Sequence, residues 1–340
     1  MDGASTLRRA IIEQSLKAHP DPKWKDHYHA PLKDESRLCL KHLAAYTTGI
    51  KNPYASRRYP LSRSAAVLVA LFVGRWGDLY VLLSRRSDDL RSYAGDTSLP
   101  GGKRDPEDKS PEDTARREAL EEIGLPRDRQ RIPLLCTLEP FLSTNNLIVF
   151  PVVVLITDPA IKPALNAPEV AALFSHPLRS LLSATSPFPL PHVPHSDSYY
   201  SITQPIFPQE STPLEDGTDA TPLAHPPYHT HRDYDTGPFH TQVRIHSFLT
   251  GREPDIKPLF GLTAAILVRV ALIGYGPEIV PEFDVLAPDQ LSMKDRIAFA
   301  LTTVPSLAEA CKKEGIKVKP IQRDLQRNGS RRGKRLQSRL

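Results

Sequence analysis

The sequence predicts an α/β sandwich built on a mixed sheet. Three observations carry that prediction: two aliphatic runs joined by a Gly77-Asp78 turn, a capped helical segment near 111–123, and two further apolar runs after it. Strand, strand, helix, strand, strand is not the regular alternation that builds a doubly wound parallel sheet.

Residues 1–62 read as a polar, helix-leaning arm. Within it Leu38, Leu40, Leu43 and Ala44 follow helical spacing after an acidic start at Asp34 and Glu35. Ala65–Val73 is then a β-branched and aliphatic run, and Leu79–Ser84 is its hairpin partner across Gly77-Asp78. Pro100-Gly101-Gly102 breaks the chain ahead of a charged segment. A helix is expected from about Pro111 to Ile123, with Ser110 as cap, Pro111 in the first turn and Gly124 just past the end. Leu134–Phe141 and Leu147–Ile156 supply the next strands. Residues 184–240 are rich in Pro, His, Ser, Thr and Asp, with little periodicity, and are expected to be a long disordered loop insertion. Its histidines, His192, His195, His225, His229, His231 and His240, read as scattered rather than as a metal site. The remainder of the domain and C-terminal helices occupy 241–319, including a helix over Phe260–Ile273, and 320–340 is a basic tail.

Composition narrows the function classes. The 34 prolines among 340 residues are about twice the usual share, which fits an unpacked insertion beside a normal core. A formal charge of +5 suits an anionic small molecule without requiring nucleic acid, which is the second reading of the basic tail. Cys39, Cys136 and Cys311 are odd in number and widely spaced, against a disulfide framework or a cysteine zinc site. The longest apolar runs, Ala65–Gly74 and Leu147–Ile156, fall well short of the ~20 residues that span a bilayer. No secretory leader is expected, because Ala10-Ile11-Ile12 is interrupted by Glu13 and Gln14.

The chemistry concentrates in Arg117-Glu118-Ala119-Leu120-Glu121-Glu122-Ile123-Gly124-Leu125. On a helix Glu118, Glu121 and Glu122 stand at i, i+3 and i+4 and share one face. Carboxylates so close raise one another's pKa unless a cation lies between them, and a hard divalent ion prefers oxygen ligands shared with substrate phosphates. An acidic helix face alone is commonly just solvated, with Arg117 pairing to Glu121 at i+4. Gly101-Gly102 upstream shifts the balance, because a glycine pair lets the backbone turn close to the helix.

Residues 102–125 resemble the Nudix box, G-x5-E-x7-R-E-U-x-E-E-x-G-U, where U is aliphatic. The second half matches closely, with Ala119 at the aliphatic position. In the first half Asp108 stands for the glutamate, and eight residues rather than seven separate it from Arg117, so the roles of Asp105, Asp108 and Glu112 stay open. Leu82-Leu83-Ser84-Arg85-Arg86-Ser87, Leu90-Arg91-Ser92, Gly95 and Pro100-Gly101-Gly102 are similar to the segment preceding the box in the coenzyme A diphosphatase branch. Asp105-Pro106, Pro140-Phe141, Pro168-Glu169-Val170 and Phe260-Gly261-Leu262-Thr263-Ala264 are similar to it as well. Tyr93 replaces a usual histidine and Leu99 a usual aromatic.

The resemblance implies a Nudix-type α/β/α sandwich and Mg²⁺ or Mn²⁺ held by Glu118, Glu122 and the Gly102 carbonyl. It makes Glu121 a ligand or the base, and it has Arg117 orient the glutamates. It further implies cleavage of coenzyme A or a derivative to 3′,5′-ADP and 4′-phosphopantetheine. Arg85, Arg86, Arg91 and Lys103 are candidate phosphate clamps. The alternatives are a Nudix hydrolase of ADP-ribose, NADH or capped RNA, and an inactive binding module. The terminal Ser338-Arg339-Leu340 resembles the S-K-L class of peroxisomal address, so an import receptor is an expected partner, with the cytoplasm the other location.

Overall fold

The computed structural model describes residues 32–90, 92–188, 227–236, 241–250 and 258–318. Ser338-Arg339-Leu340, Arg91, and His192, His195, His225 and His240 lie outside them.

Helix α1 (Asp34–Ala45) is followed by the hairpin β1 (Ser64–Val73) and β2 (Leu79–Arg86), the short β3 (Thr97–Ser98) and β4 (Gly101–Lys103), and helix α2 (Pro111–Ile123). Strands β5 (Leu134–Thr137), β6 (Phe141–Leu142), β7 (Ile148–Ile156) and β8 (Val170–Pro177) complete the main sheet. Its path is β3-β2-β1-β7-β5, with β4 on β1, β6 on β7 and β8 on β2. The β1–β7 ladder is parallel, from Ser64 opposite Ile148 to Phe72 opposite Ile156, while the other pairings are antiparallel. The sheet is therefore mixed, as the order of elements predicts.

Both faces of β1 and β7 are covered, which is why these strands read as unbroken apolar runs rather than as alternations. Ala65, Val69 and Leu71 point into one core with Val149, Val153 and Leu155. That core is closed by α1 and by α3 (Gly261–Tyr275). Ala66, Leu68 and Ala70 point into the other with Ile148, Phe150, Val152 and Val154. There the cover is α2, α4 (Met293–Thr303) and α5 (Pro305–Lys313). Successive strand residues thus serve opposite cores, giving the three-layer α/β/α arrangement. None of the described helices is long and apolar enough to cross a membrane.

Two segments depart from the sequence-based expectation. Helix α1 lies within the region read as an arm, yet Cys39, Leu40 and Leu43 are fully buried in the main core. Its Cys39 Sγ packs so closely on α3 that Gly274 has no room for a side chain. The second departure falls in the expected insertion. Strand β9 (His229–Thr236) pairs along its length with β10 (Thr241–Phe248), which continues to β11 (Leu259–Phe260) in a separate three-stranded sheet. The sequence His-Thr-His-Arg-Asp-Tyr-Asp-Thr has no apolar alternation, because its ladder bonds and the Arg244–Asp233 pair hold it rather than a buried face. Strand β8 also escapes patterning. Apart from Val170 and His176 its residues are half-buried or exposed, and its place is set by the ladder with β2.

Candidate active site

Helix α2 has clear local causes. Ser110 Oγ accepts the Asp113 N–H at 3.2 Å, Pro111 opens the first turn, and Gly124 ends the helix in the left-handed conformation. The loop before β8 then ties down the far end: Ala164 N–H donates to the Ile123 carbonyl at 2.9 Å and Asn166 N–H to that of Glu122 at 3.0 Å. Ala115, Ala119 and Ile123 are buried beneath the helix, which turns Glu118, Glu121 and Glu122 toward the β4 side and solvent.

Strand β4 meets that face without side chains. Gly102 sits directly under Glu118, so a Cβ there would fall on the carboxylate. Gly101 donates its N–H to Glu122 Oε2 at 3.1 Å. Gly101 is itself wedged against the backbone of Ala66 and Val67, where a side chain would not fit. The glycine pair therefore lets bare backbone approach two carboxylates.

Arg117 is the hub of the charged network. Its Nη1 donates to Glu118 Oε1 at 2.9 Å and Glu121 Oε2 at 3.1 Å. Its Nη2 donates to Asp108 Oδ2 at 3.0 Å and to the Lys103 carbonyl at 2.9 Å, and Asp105 stands at 3.5 Å. Burial opposes the Arg117 charge, but Asp108 and Glu118 more than restore it and push the pKa above the ordinary arginine value. Asp108 is 6 % exposed; burial opposes its charge too, yet Arg117 and the Asp105 N–H hold it below the usual carboxylate range.

The two inner glutamates behave differently. Burial pushes Glu122 up to about 7, against the Gly101 N–H and with added repulsion from Glu118. Burial raises Glu118 as well, opposed by Arg117. Glu121, its side chain 52 % exposed, is drawn to Arg117. Two half-buried carboxylates that repel each other beside exposed backbone suit a hard divalent cation. Among the described residues no set of three or more His, Cys, Asp or Glu side chains forms a metal cage, so such a cation would rely on backbone, water and substrate for further oxygens.

The candidate clamps are not all alike. Arg85 is engaged by Asp88 at 2.6 Å. Arg86, at the end of β2, has a buried Nε without a hydrogen-bond partner among the described residues, and its charge acts on Glu122. Lys103 is exposed on β4 and contributes its carbonyl to Arg117. Of the residues left open by sequence, Asp108 joins the Arg117 hub. Glu112 instead pairs with buried Arg116 at 2.8 Å and with Arg129 at 3.1 Å, a structural network on the other flank. Glu169 was not singled out as a site residue, yet its charge also acts on Glu122, because the tied loop brings it to that end of α2. His229 and His246, 2.9 Å apart, lie in the small sheet among Phe248 and Phe283. Burial first, then the neighbouring histidines, push His229 down to about 4, so it is neutral near pH 7.

Comparisons with known proteins agree with this geometry. The family model described as NUDIX domain matches residues 62–195. The chain is 46% identical over 121 residues to Nudix hydrolase 15, mitochondrial, of Arabidopsis thaliana, covering 35% of this chain and 42% of that one. It is 48% identical over 94 residues to Peroxisomal coenzyme A diphosphatase 1, peroxisomal, of Saccharomyces cerevisiae, covering 27% of each. It is 40% identical over 139 residues to Uncharacterized Nudix hydrolase NudL of Pectobacterium atrosepticum, covering 41% of this chain and 69% of that one. The chain thus spans less than half the length of the plant and yeast relatives.

Proposed function

Because the chain belongs to the Nudix hydrolases, we propose that it is a divalent-metal-dependent diphosphatase acting on coenzyme A or its acyl derivatives. Its products would be 3′,5′-ADP and 4′-phosphopantetheine or the acylated form. The observation that carries the chemistry is the pair Glu118 and Glu122 facing the bare backbone of Gly101-Gly102. The substrate choice draws support from the residues 82–102 similar to the coenzyme A branch, and from the yeast relative's name.

In this reading Glu118, Glu122 and the Gly102 carbonyl hold Mg²⁺ or Mn²⁺, with Glu121 as a further ligand or the base. When bound, the cation would supply charge neutralisation for the diphosphate and make water more acidic at that place. Arg117 fixes the Glu118 carboxylate through Nη1 while its other arm is anchored on Asp108. Glu122 Oε2 accepts the Gly101 N–H, which leaves Oε1 free to face the cation. Water attacks one phosphorus in line and gives up a proton, to Glu121 where that residue is the base and otherwise to solvent; an O–P bond forms, and the bridging P–O bond breaks with the electron pair leaving on the second phosphate. Arg86, whose charge acts on Glu122 and whose Nε has no hydrogen-bond partner among the described residues, would take charge that develops on the diphosphate.

Incubation of the purified protein with Mg²⁺ or Mn²⁺ and coenzyme A, acyl-coenzyme A, ADP-ribose, NADH and capped RNA tests the proposal. Release of 3′,5′-ADP from coenzyme A well ahead of the other reactions is expected. A different best substrate would overturn the coenzyme A assignment, for which Tyr93 and Leu99 are the departures to pursue, and no turnover at all would favour a binding module. Gly102→Ala offers a sharper check. The added methyl displaces the Glu118 carboxylate, so kcat is expected to fall by roughly 10²-fold or more while the fold persists. Unchanged turnover would separate Glu118 from the reaction.

Peroxisomal delivery through Ser338-Arg339-Leu340 and its import receptor is part of the proposal. Relocation of a tagged protein on removal of the tripeptide is the expected result.

A further inference from the structure

Most arginines near the sheet end are answered by carboxylates: Arg85 by Asp88, Arg116 by Glu112, Arg117 by Asp108. Arg296 is not. It lies in the first half of α4, partly buried, and its enclosed Nε has no hydrogen-bond partner among the described residues. Burial weakens its charge, and no acidic group among the described residues offsets this. A guanidinium partly withdrawn from water, with its Nε unanswered, is costly to leave without a counter-charge, and its planar fork suits a doubly charged oxyanion.

Its position gives that charge a use. Leu142 N–H meets Met293 Sδ at 3.3 Å, so the first turn of α4 rests on the end of β6, next to the turn that leads into β7. Arg296 follows Met293 by three positions on the same helix face. The β6–β7 turn also carries Thr144, whose hydroxyl lies 3.2 Å from that of Tyr93. Tyr93 belongs to the loop that leads from β2 into β3 and then to Gly101-Gly102. In the sheet, Ala66 of β1 is flanked by Gly102 on one side and by Phe150 of β7 on the other. Arg296, the Tyr93–Thr144 contact and the inner glutamates therefore gather at one end of the sheet.

We propose that Arg296 anchors a phosphomonoester of the substrate, separate from the diphosphate that is cleaved. The inference rests on the nucleotide-diphosphate reading above, and in coenzyme A the group is the ribose 3′-phosphate. Arg296 is then a specificity residue: it selects nucleotides that carry a second, terminal phosphate.

The test compares two ligands that differ only in that group, 3′,5′-ADP and 5′-AMP, by calorimetry on the full chain with chelator present. The wild type is expected to bind 3′,5′-ADP roughly tenfold or more tightly than 5′-AMP. Arg296→Met should erase that preference and leave 5′-AMP affinity unchanged, which also reports an intact fold; Arg296→Lys should keep part of it. Inorganic phosphate serves as a third arm, and tight binding of it alone would assign the site to free phosphate instead. The proposal is overturned if the wild type shows no preference, if the preference survives in Arg296→Met, or if both nucleotides lose affinity together. Discrimination without hydrolysis of coenzyme A would leave this site standing and remove the proposed reaction.

Discussion

Glu122→Gln is expected to abolish most turnover, by ~10²–10³-fold or more, and at the same time to stabilise the metal-free protein above neutral pH. Both effects have one origin. In the folded chain the Glu122 carboxyl is pushed from 4.5 up to about 7, chiefly by burial and next by Glu118, against the Gly101 N–H. An acid whose folded pKa exceeds its unfolded value favours folding fully at pH below the unfolded value. That contribution fades as pH rises through the folded value. Metal-free wild type should therefore lose on the order of 2 kcal/mol between about pH 5 and pH 8, while the variant, which cannot ionise, should not. Thermal melts with chelator would show the variant ahead at pH 8 and level at pH 5. Mn²⁺ should raise the wild type and do little for the variant. Parallel melting curves across this range would show that Glu122 does not carry the strained charge.

Arg117→Ala should be the most destabilising single change in the site, by roughly 3–5 kcal/mol in urea titrations. Four side-chain partners and the Lys103 carbonyl depend on this guanidinium. The severe loss is at Asp108, which would remain buried with its charge unpaired. Adding Asp108→Asn to Arg117→Ala should recover part of the stability, because an amide in that place is less costly than an orphan carboxylate. Glu121→Gln, at the exposed end of the same network, should cost under about 1 kcal/mol. A loss below about 1 kcal/mol for Arg117→Ala would show that the hub is held by other contacts.

The legible parts of this molecule are those governed by local rules. Ser110, Pro111 and Gly124 bracket α2 because caps and helix stops are written in neighbouring residues. The β1–β2 hairpin follows from two aliphatic runs around Gly77, with Val73 opposite Leu79. The shared face of Glu118, Glu121 and Glu122 follows from helical spacing alone. What stayed hidden depends on distant partners. β9 has no apolar period and acquires its conformation from β10. β8 is defined by β2, and the burial of α1 is set by contact with α3, far along the chain. Asp108 could be noticed as an acid ahead of Arg117, but its burial and its pairing emerge only once β4 and α2 are side by side.

The parallel ladder that joins Ser64 to Ile148 encloses both glycines and all three box glutamates within the chain between them. Helix α2 can form early from its own caps, but its acidic face opposes Gly101-Gly102 only after β4 has docked on β1. Closing so long a loop carries a large entropic cost before any contact compensates it, and parallel pairings of this range are slow. Acquisition of cation affinity during refolding should therefore trail helix content and coincide with the last, rate-limiting closure of the sheet.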